Sequence, residues 1–203
     1  MSRARLSRTF YLQDTVTVAR ALLGCVLWRR VGSELLAARL VECEAYLGAN
    51  DAASHARRGL RSARNESMYL QGGHSYVYFT YGMHWCMNVV TQEADIAEAV
   101  LLRAAEPLRG IDSMRKRRPK AKRDRDLMNG PGKLCAALEI DRALDGESLR
   151  GDRLYITARD IDIDENDIAV SPRIGVEGAG EAAFWPLRFF LKGNRYVSAY
   201  RNA

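Results

Sequence analysis

The stretch from Val41 to Gly59, VECEAYLGANDAASHARRG, constrains the fold more than any other part of this sequence. It opens as a strand-like run and ends in a polar connection carrying a histidine. Period-two alternation sets Leu40, Glu42, Glu44 and Tyr46 on one face and Val41, Cys43 and Ala45 on the other. The apolar face needs cover, so the strand belongs in a packed sheet. The opposite face carries two carboxylates and a phenol, and charge is buried only where it meets partners or is neutralised. Two readings follow: the acids pair with arginines as structure, or they form an active site at the end of a covered strand.

At 203 residues and 22.8 kDa, one domain spanning 1–203 is expected. No run of about 18 uncharged apolar residues occurs, so no membrane partner is expected. The N-terminal MSRARLSRTFYLQD is basic without a signal peptide's apolar stretch, which makes the cytoplasm the expected compartment. Cys25, Cys43, Cys86 and Cys135 stand apart, reading as buried thiols rather than zinc ligands. His55, His74 and His84 form no paired helical motif. Neither a metal nor a cofactor is expected.

The net charge of +6 is unevenly placed. Between Arg115 and Arg125 lie eight basic residues and one acid, and Arg57, Arg58, Arg61 and Arg64 form a second cluster. Such concentration suggests a polyanionic partner, a solvated face being the competing reading.

In chain order, Asp14 can cap a short helix with Val18, Ala21, Leu22 and Leu23 inward and Gly24 as its stop. Cys25–Arg30 reads as a strand, turned at Gly32-Ser33 into the strand ending at Tyr46. Asn50 or Asp51 can cap a short helix through His55. YVYFTYGMHWCMNVV, from Tyr76 to Val90, reads as a β-hairpin with Tyr76 and Tyr78 on one face. Its tip, Tyr81-Gly82-Met83, is aromatic and apolar where turns are usually small and polar. Ala97–Ala105 is an apolar strand holding Arg103, a charge seldom buried without a carboxylate or ligand. A helix is expected after Pro107, with the following basic run as a mobile loop. Asn129-Gly130-Pro131-Gly132-Lys133 sets a glycine turn and a lysine at a helix N-terminus, a natural anion site but not a Walker loop. Further strands are expected near 154–158, 173–176, 187–191 and 196–200. The whole reads as one mixed, strand-rich domain with peripheral helices.

A carboxylate-bearing strand end, an aromatic hairpin tip and phosphate-seeking charge point the same way. An enzyme acting on a base within duplex DNA must extrude it, stack it between flat side chains and fill the gap with a wedge. A carboxylate can then stabilise an oxocarbenium-like sugar and take a proton from attacking water.

From Leu22 to Ser198 the chain resembles the alkyladenine (3-methyladenine) DNA glycosylase family. The resemblance rests on ECEAYLG with His55 eleven residues after Glu44, on YVYFTYGMHWCMN, VLLRAAEP and NGPGKLC, and on RIG with PLRFFLKG. It implies an α+β fold: a curved, predominantly antiparallel sheet, barrel-like and similar to a formyltransferase C-terminal domain, with surrounding helices and a protruding hairpin. It implies a monomeric, metal-free, monofunctional glycosylase acting on double-stranded DNA that contains damaged purines, in the cytoplasm or, in a bacterium, at the nucleoid.

By the same resemblance Glu44 is the general base, and Arg103 helps to hold the water and an adjacent phosphate. Tyr46 stacks on one side of the flipped base and His55 and Tyr78 on the other. Asn88 rejects the exocyclic amine of guanine. Tyr81 is the wedge with Met83 assisting, and Gly132 and Lys133 grip the DNA backbone. Glu42 reads as structural. His84 stands where the family usually has an aromatic, and two extra residues lie around Glu93–Glu98. The competing functions are a non-catalytic damaged-DNA-binding module and a metal-dependent nuclease built on Glu42, Glu44, Asp51 and His55.

Overall fold

A computed structural model describes residues 4–198. Two long strands organise it, β2 (Glu34–Tyr46) and β5 (Glu98–Arg109), paired antiparallel along most of their length. The two-residue Gly32-Ser33 turn joins β1 (Val26–Val31) to β2, and Gly32 supplies the positive φ of 57° that such a turn needs. β3 (Ser75–Thr80) and β4 (His84–Thr91) make the hairpin, and β4 pairs with β5. β6 (Leu154–Thr157) borders β1, giving the order β3-β4-β5-β2-β1-β6. β7 (Ile168–Ser171) pairs with β8 (Arg188–Leu191), and β8 pairs with β2. The sheet is a curled antiparallel half-barrel in a mixed α+β fold, as expected.

One edge of β2 changes partner along its length. Residues 34–39 pair with β1, whereas Glu42–Glu44 pair with β8. Between these segments the register against β5 slips at Val41 and slips back at Arg103, two compensating bulges. This breaks the expected alternation, since Leu40 joins Val41, Cys43 and Ala45 in the main core rather than sharing the face of Glu42.

Helix α1 (Arg8–Tyr11) leads into α2 (Thr15–Ala21), which is capped by Asp14 as expected, with the Thr17 amide donating to its carboxylate at 2.9 Å. Ala19 rather than Ala21 joins Val18, Leu22 and Leu23 in the core. α2 packs on β2 and β5, while α4 (Pro131–Leu138) packs on β4 and β5. The sheet face beneath them buries Val77, Met87, Val89, Leu102, Cys43 and Ala45. The alternate residues of the same strands, Tyr78, Asn88, Arg103 and Tyr46 among them, line a cavity on the opposite face. Period two thus separates core from cavity.

Four expectations are corrected. β5 runs through Pro107 to Arg109, because Pro107 falls at a register irregularity where its missing N–H does no harm, and α3 (Ile111–Arg117) starts only after Gly110 turns at φ 77°. The basic run is not a simple loop, since Arg115–Arg117 complete α3 and several of its arginines are paired: Arg115 with Asp112 and Asp124, Arg117 with Glu139, Arg123 with Asp126. Residues 173–176 form a loop, the nearby strand being β7, and 196–198 are not strand, while 199–200 lie outside the described residues. No helix runs through His55. A 3-10 turn at Gly48–Asn50 precedes Asp51, and further turns carry the chain past His55.

Candidate active site

Glu42 and Glu44 are both fully buried, so each must be met by donors or neutralised. Glu42 accepts from Arg103 Nε at 3.1 Å, Arg188 Nε at 2.7 Å, and the backbone N–H and hydroxyl of Ser198, each at 2.7 Å. Glu44 accepts from Arg103 Nη1 at 3.2 Å, the Tyr46 hydroxyl at 2.9 Å and the Ile174 amide at 2.8 Å. Two acids face two guanidinium groups, which balances the buried charge. A carboxylate offers about four acceptor positions. On Glu42, Oε1 takes three donors and Oε2 only the Ser198 amide; on Glu44, Oε2 takes Arg103 and Tyr46, and Oε1 takes the Ile174 amide, with a second position there unclaimed among the described residues.

Burial raises the Glu44 pKa above the ordinary carboxylate range, opposed first by Arg103 and then by the Ile174 amide and the Tyr46 hydroxyl. A raised but ionisable carboxyl suits a general base. Burial also works to lower the pKa of Arg103, but the two carboxylates override it and hold the guanidinium charged.

In front of this pair lies a cavity of about 300 Å³ walled by Tyr46, His55, Tyr76 and Tyr78, with Asn88 and Arg103 supplying polar groups. A flat heteroaromatic ring fits a space of that size and lining. Glu44 stands just behind the wall, bonded to three lining residues, Tyr46, Arg103 and Ile174. Tyr76 and Tyr78 stack at 5.3 Å between centroids, and His55 meets Tyr78 edge-on at 4.5 Å. His55 Nδ1 is 2.8 Å from the Tyr76 hydroxyl, and Asn65 Nδ2 donates to the His55 carbonyl at 3.0 Å. Burial first, then Arg64 and Arg57, pull the His55 pKa from 6.5 down to about 4, so its ring is neutral at physiological pH. Asn88 Nδ2 donates to the Tyr76 carbonyl at 3.2 Å, which fixes its amide in the wall.

The hairpin tip projects. Tyr81 is 77% exposed and Met83 68%, with φ of 51° at Tyr81 and 64° at Gly82. A Cβ added at Gly175 would lie 3.9 Å from the Tyr81 hydroxyl, so the phenol reaches across the cavity mouth toward the 173–176 loop. The hairpin stem rests on α4, where a Cβ at Gly132 would come within 2.9 Å of His84. That contact explains both the glycine and the role of His84. Lys133 is exposed beside it, its ammonium donating to Asn129 at 2.8 Å.

The structure therefore gathers Glu44, Arg103, Tyr46, His55, Tyr78 and Asn88 at one site. It sets Tyr81 at the mouth and places Met83, Gly132 and Lys133 on the adjoining surface. Glu42 is bonded to Arg103, Arg188 and Ser198 and lies outside the cavity lining. Sequence reasoning missed Tyr76 as a wall, although its shared face with Tyr78 was the signal. It missed Arg188, an arginine in an apolar strand like Arg103. It also missed the Ile174 amide, for which a side-chain pattern carries no sign.

A carboxylate behind an aromatic, base-sized cavity, with an exposed aromatic tip at its mouth, is a site with room for a flat ring. The model of the methylpurine-DNA glycosylase family matches residues 9–195. Proteins named "Putative 3-methyladenine DNA glycosylase" are similar along nearly their whole length. That of Bdellovibrio bacteriovorus is 46% identical over 195 residues, covering 95% of this chain and 98% of its own. Those of Carboxydothermus hydrogenoformans and Methanocella arvoryzae are 46% and 45% identical, each covering 95% of this chain and respectively 98% and 95% of their own. The chain belongs to the methylpurine-DNA glycosylase family. Among the described residues no helix is long and apolar enough to cross a membrane.

Proposed function

We propose that this chain is a monofunctional DNA glycosylase that flips alkylated or deaminated purines (3-methyladenine, hypoxanthine, etheno-adenine) out of double-stranded DNA and excises them, initiating base excision repair. The observation that carries this reading is that the buried Glu44 carboxylate is bonded to three residues lining the aromatic cavity, Tyr46, Arg103 and Ile174, with an acceptor position of Oε1 unclaimed among the described residues. The relatives' names favour 3-methyladenine among these bases.

A purine enters between Tyr46 and the His55–Tyr78 side, and Tyr81 fills the gap it leaves in the duplex. Water next to Arg103 gives its proton to Glu44 as its oxygen bonds to C1′. The glycosidic C–N bond breaks, its electron pair leaving with the base. A cationic base such as 3-methyladenine departs neutral; hypoxanthine or etheno-adenine, neutral in the duplex, takes a proton from solvent as the bond breaks and so also departs neutral. Asn88 stands in the wall where it can discriminate against an exocyclic amine. Among the described residues no lysine amine is bonded to Glu44, and a Schiff-base lyase step is not part of the reading. DNA is gripped by Gly132, Lys133 and the exposed Arg57, Arg58 and Arg64, which predicts salt-sensitive binding. The enzyme acts as a monomer without metal, in the cytoplasm or at a nucleoid.

Glu44→Gln tests the chemistry. Excision from a hypoxanthine or 3-methyladenine duplex should vanish while binding to that duplex persists, and full activity in the variant refutes the mechanism. Binding by the native protein without an abasic product would favour a non-catalytic damage-binding module. A nuclease centre is disfavoured by Asp51, whose carboxylate is held by Arg173 and by the amides of Leu47 and Ala53 rather than facing Glu44.

A further inference from the structure

A second buried ion pair lies behind the cavity, outside the residues assigned above. Asp51 and Arg173 have no exposed side-chain surface at all. Arg173 Nη2 donates to Asp51 Oδ1 at 2.8 Å and to the Ala182 carbonyl at 3.1 Å. Its Nη1 donates to Asp51 Oδ2 and, at 2.9 Å, to the carbonyl of Ala45, the residue between Glu44 and Tyr46. The guanidinium also lies 4.6 Å from the centroid of the Tyr46 ring. The next residue along, Ile174, donates its amide to Glu44.

Stability does not by itself account for this pair. A buried ion pair is often replaceable by apolar residues at no loss, and here Arg173 Nε is buried without a hydrogen-bond partner. What the fork-shaped guanidinium does, and an apolar side chain cannot, is grip three separate chain segments in one plane. It grips the 47–53 turn through Asp51, the end of β2 through Ala45, and the 177–184 segment through Ala182.

We propose that Asp51 and Arg173 are positioning residues for the glycosylase reaction: together they hold the Ile174 amide against Glu44 and the Tyr46 ring against the cavity. This rests on the excision reading given above. The groups facing Glu44 are Arg103 of β5, Glu42, Cys43 and Tyr46 of β2, Tyr78 of β3 and Cys86 of β4. Of these, Tyr46 touches Arg173, and Arg173→Lys keeps the buried charge, so a change in Glu44 in that variant reports the Ile174 amide and the placement of Tyr46.

Asp51→Asn and Arg173→Lys are the test, each assayed by single-turnover excision across pH, by affinity for an uncleaved lesion duplex and by thermal melting. Losing one amide donor disfavours the ionised form of Glu44. The acid limb of the rate profile should therefore move up by about one pH unit, and the neutral-pH rate should fall about 10-fold or more. Affinity should stay within about threefold, since neither residue reaches DNA. An unchanged limb and rate in protein that merely melts earlier overturns the proposal. Should both variants fail to fold, Ile174→Pro removes the amide and leaves the pair in place, and an unshifted limb there overturns it equally. Carbon-13 NMR titration of Glu44 gives a readout independent of turnover. A native protein that does not excise refutes the function, whereas a Glu44 titration unmoved by Arg173→Lys refutes the positioning.

Discussion

Arg103→Met separates the electrostatics of this site from its packing. The side chains are similar in length, but the substitution leaves Glu44 buried without a cation, while Glu42 keeps Arg188 and Ser198. Removing one partner of a buried pair costs about 3–5 kcal/mol. At roughly 2–4 °C per kcal/mol for a chain of this size, Tm should fall by about 6–20 °C at pH 8. The deficit should depend on pH with a definite sign. Burial already lifts Glu44 above its reference of 4.5, and Arg103 is the chief influence opposing that lift. Without Arg103 the folded pKa rises further. A carboxyl raised on folding contributes stability below its unfolded value and loses it as pH rises through the folded value. The variant's deficit should therefore be smallest near pH 4.5, open above it, and level off once pH passes the raised value. Calorimetry of native and variant protein across this range reads the difference directly. Adding Glu44→Gln to Arg103→Met should flatten the pH dependence, since the titrating group is gone. A deficit that is constant with pH, or that grows toward acid, would refute the assignment of Arg103 as the counter-charge of Glu44.

His55 should show no imidazole titration by NMR from pH 8 down to about 5, given its pKa of about 4. Because that value is depressed on folding, the unfolded chain takes the proton first, so His55→Gln should remove part of the stability lost as pH falls from 6.5 toward 4. Gly132→Ala should push the hairpin stem off α4 through His84, weakening DNA binding and costing about 1–3 kcal/mol of stability. Adding His84→Ala to Gly132→Ala should recover most of both losses, as melting and affinity measurements would show.

The parts of this protein legible in its sequence are those decided by local chemistry. Asp14 caps its helix because a carboxylate reaches the amide three residues on, whatever the rest of the chain does. The hairpin and its exposed tip follow from two β-rich runs around a glycine, and an unexplained Arg103 announced a buried carboxylate. Where distant segments decide, the reading failed. Pro107 looked like a helix start because its tolerance at a sheet irregularity depends on how Ala38 pairs with it. Arg173-Ile174-Gly175-Val176 looked like a strand, yet its arginine is held by Asp51, 122 residues earlier, and its amide serves Glu44. The alternation that put Leu40 beside Glu42 ignored the slip at Val41, which becomes visible only against β5.

That slip also explains how two acids on one strand come to differ. β2 exchanges β1 for β8 just where the bulge falls, so Glu42 meets Arg188 of the incoming strand and Ser198 beyond it. Its four donors come from β5, β8 and the 198 backbone and hydroxyl, and they make it a cross-link between β2 and the end of the described chain. Glu44, two residues on, lies at the last pairing with β8, opposite Arg188 in register, where the neighbouring loop offers one amide in place of a second guanidinium. Arg103 bonds to both acids, so its charge is shared, and Glu44 is further bonded to Tyr46 and Ile174 of the cavity lining. A proton acceptor needs a free lone pair, a route to substrate and a pKa that burial has lifted without abolishing ionisation. Glu44 is bonded to three residues that line the cavity, Tyr46, Arg103 and Ile174, and Glu42 only to Arg103 among them, which is why Glu44 is the one proposed above as the general base.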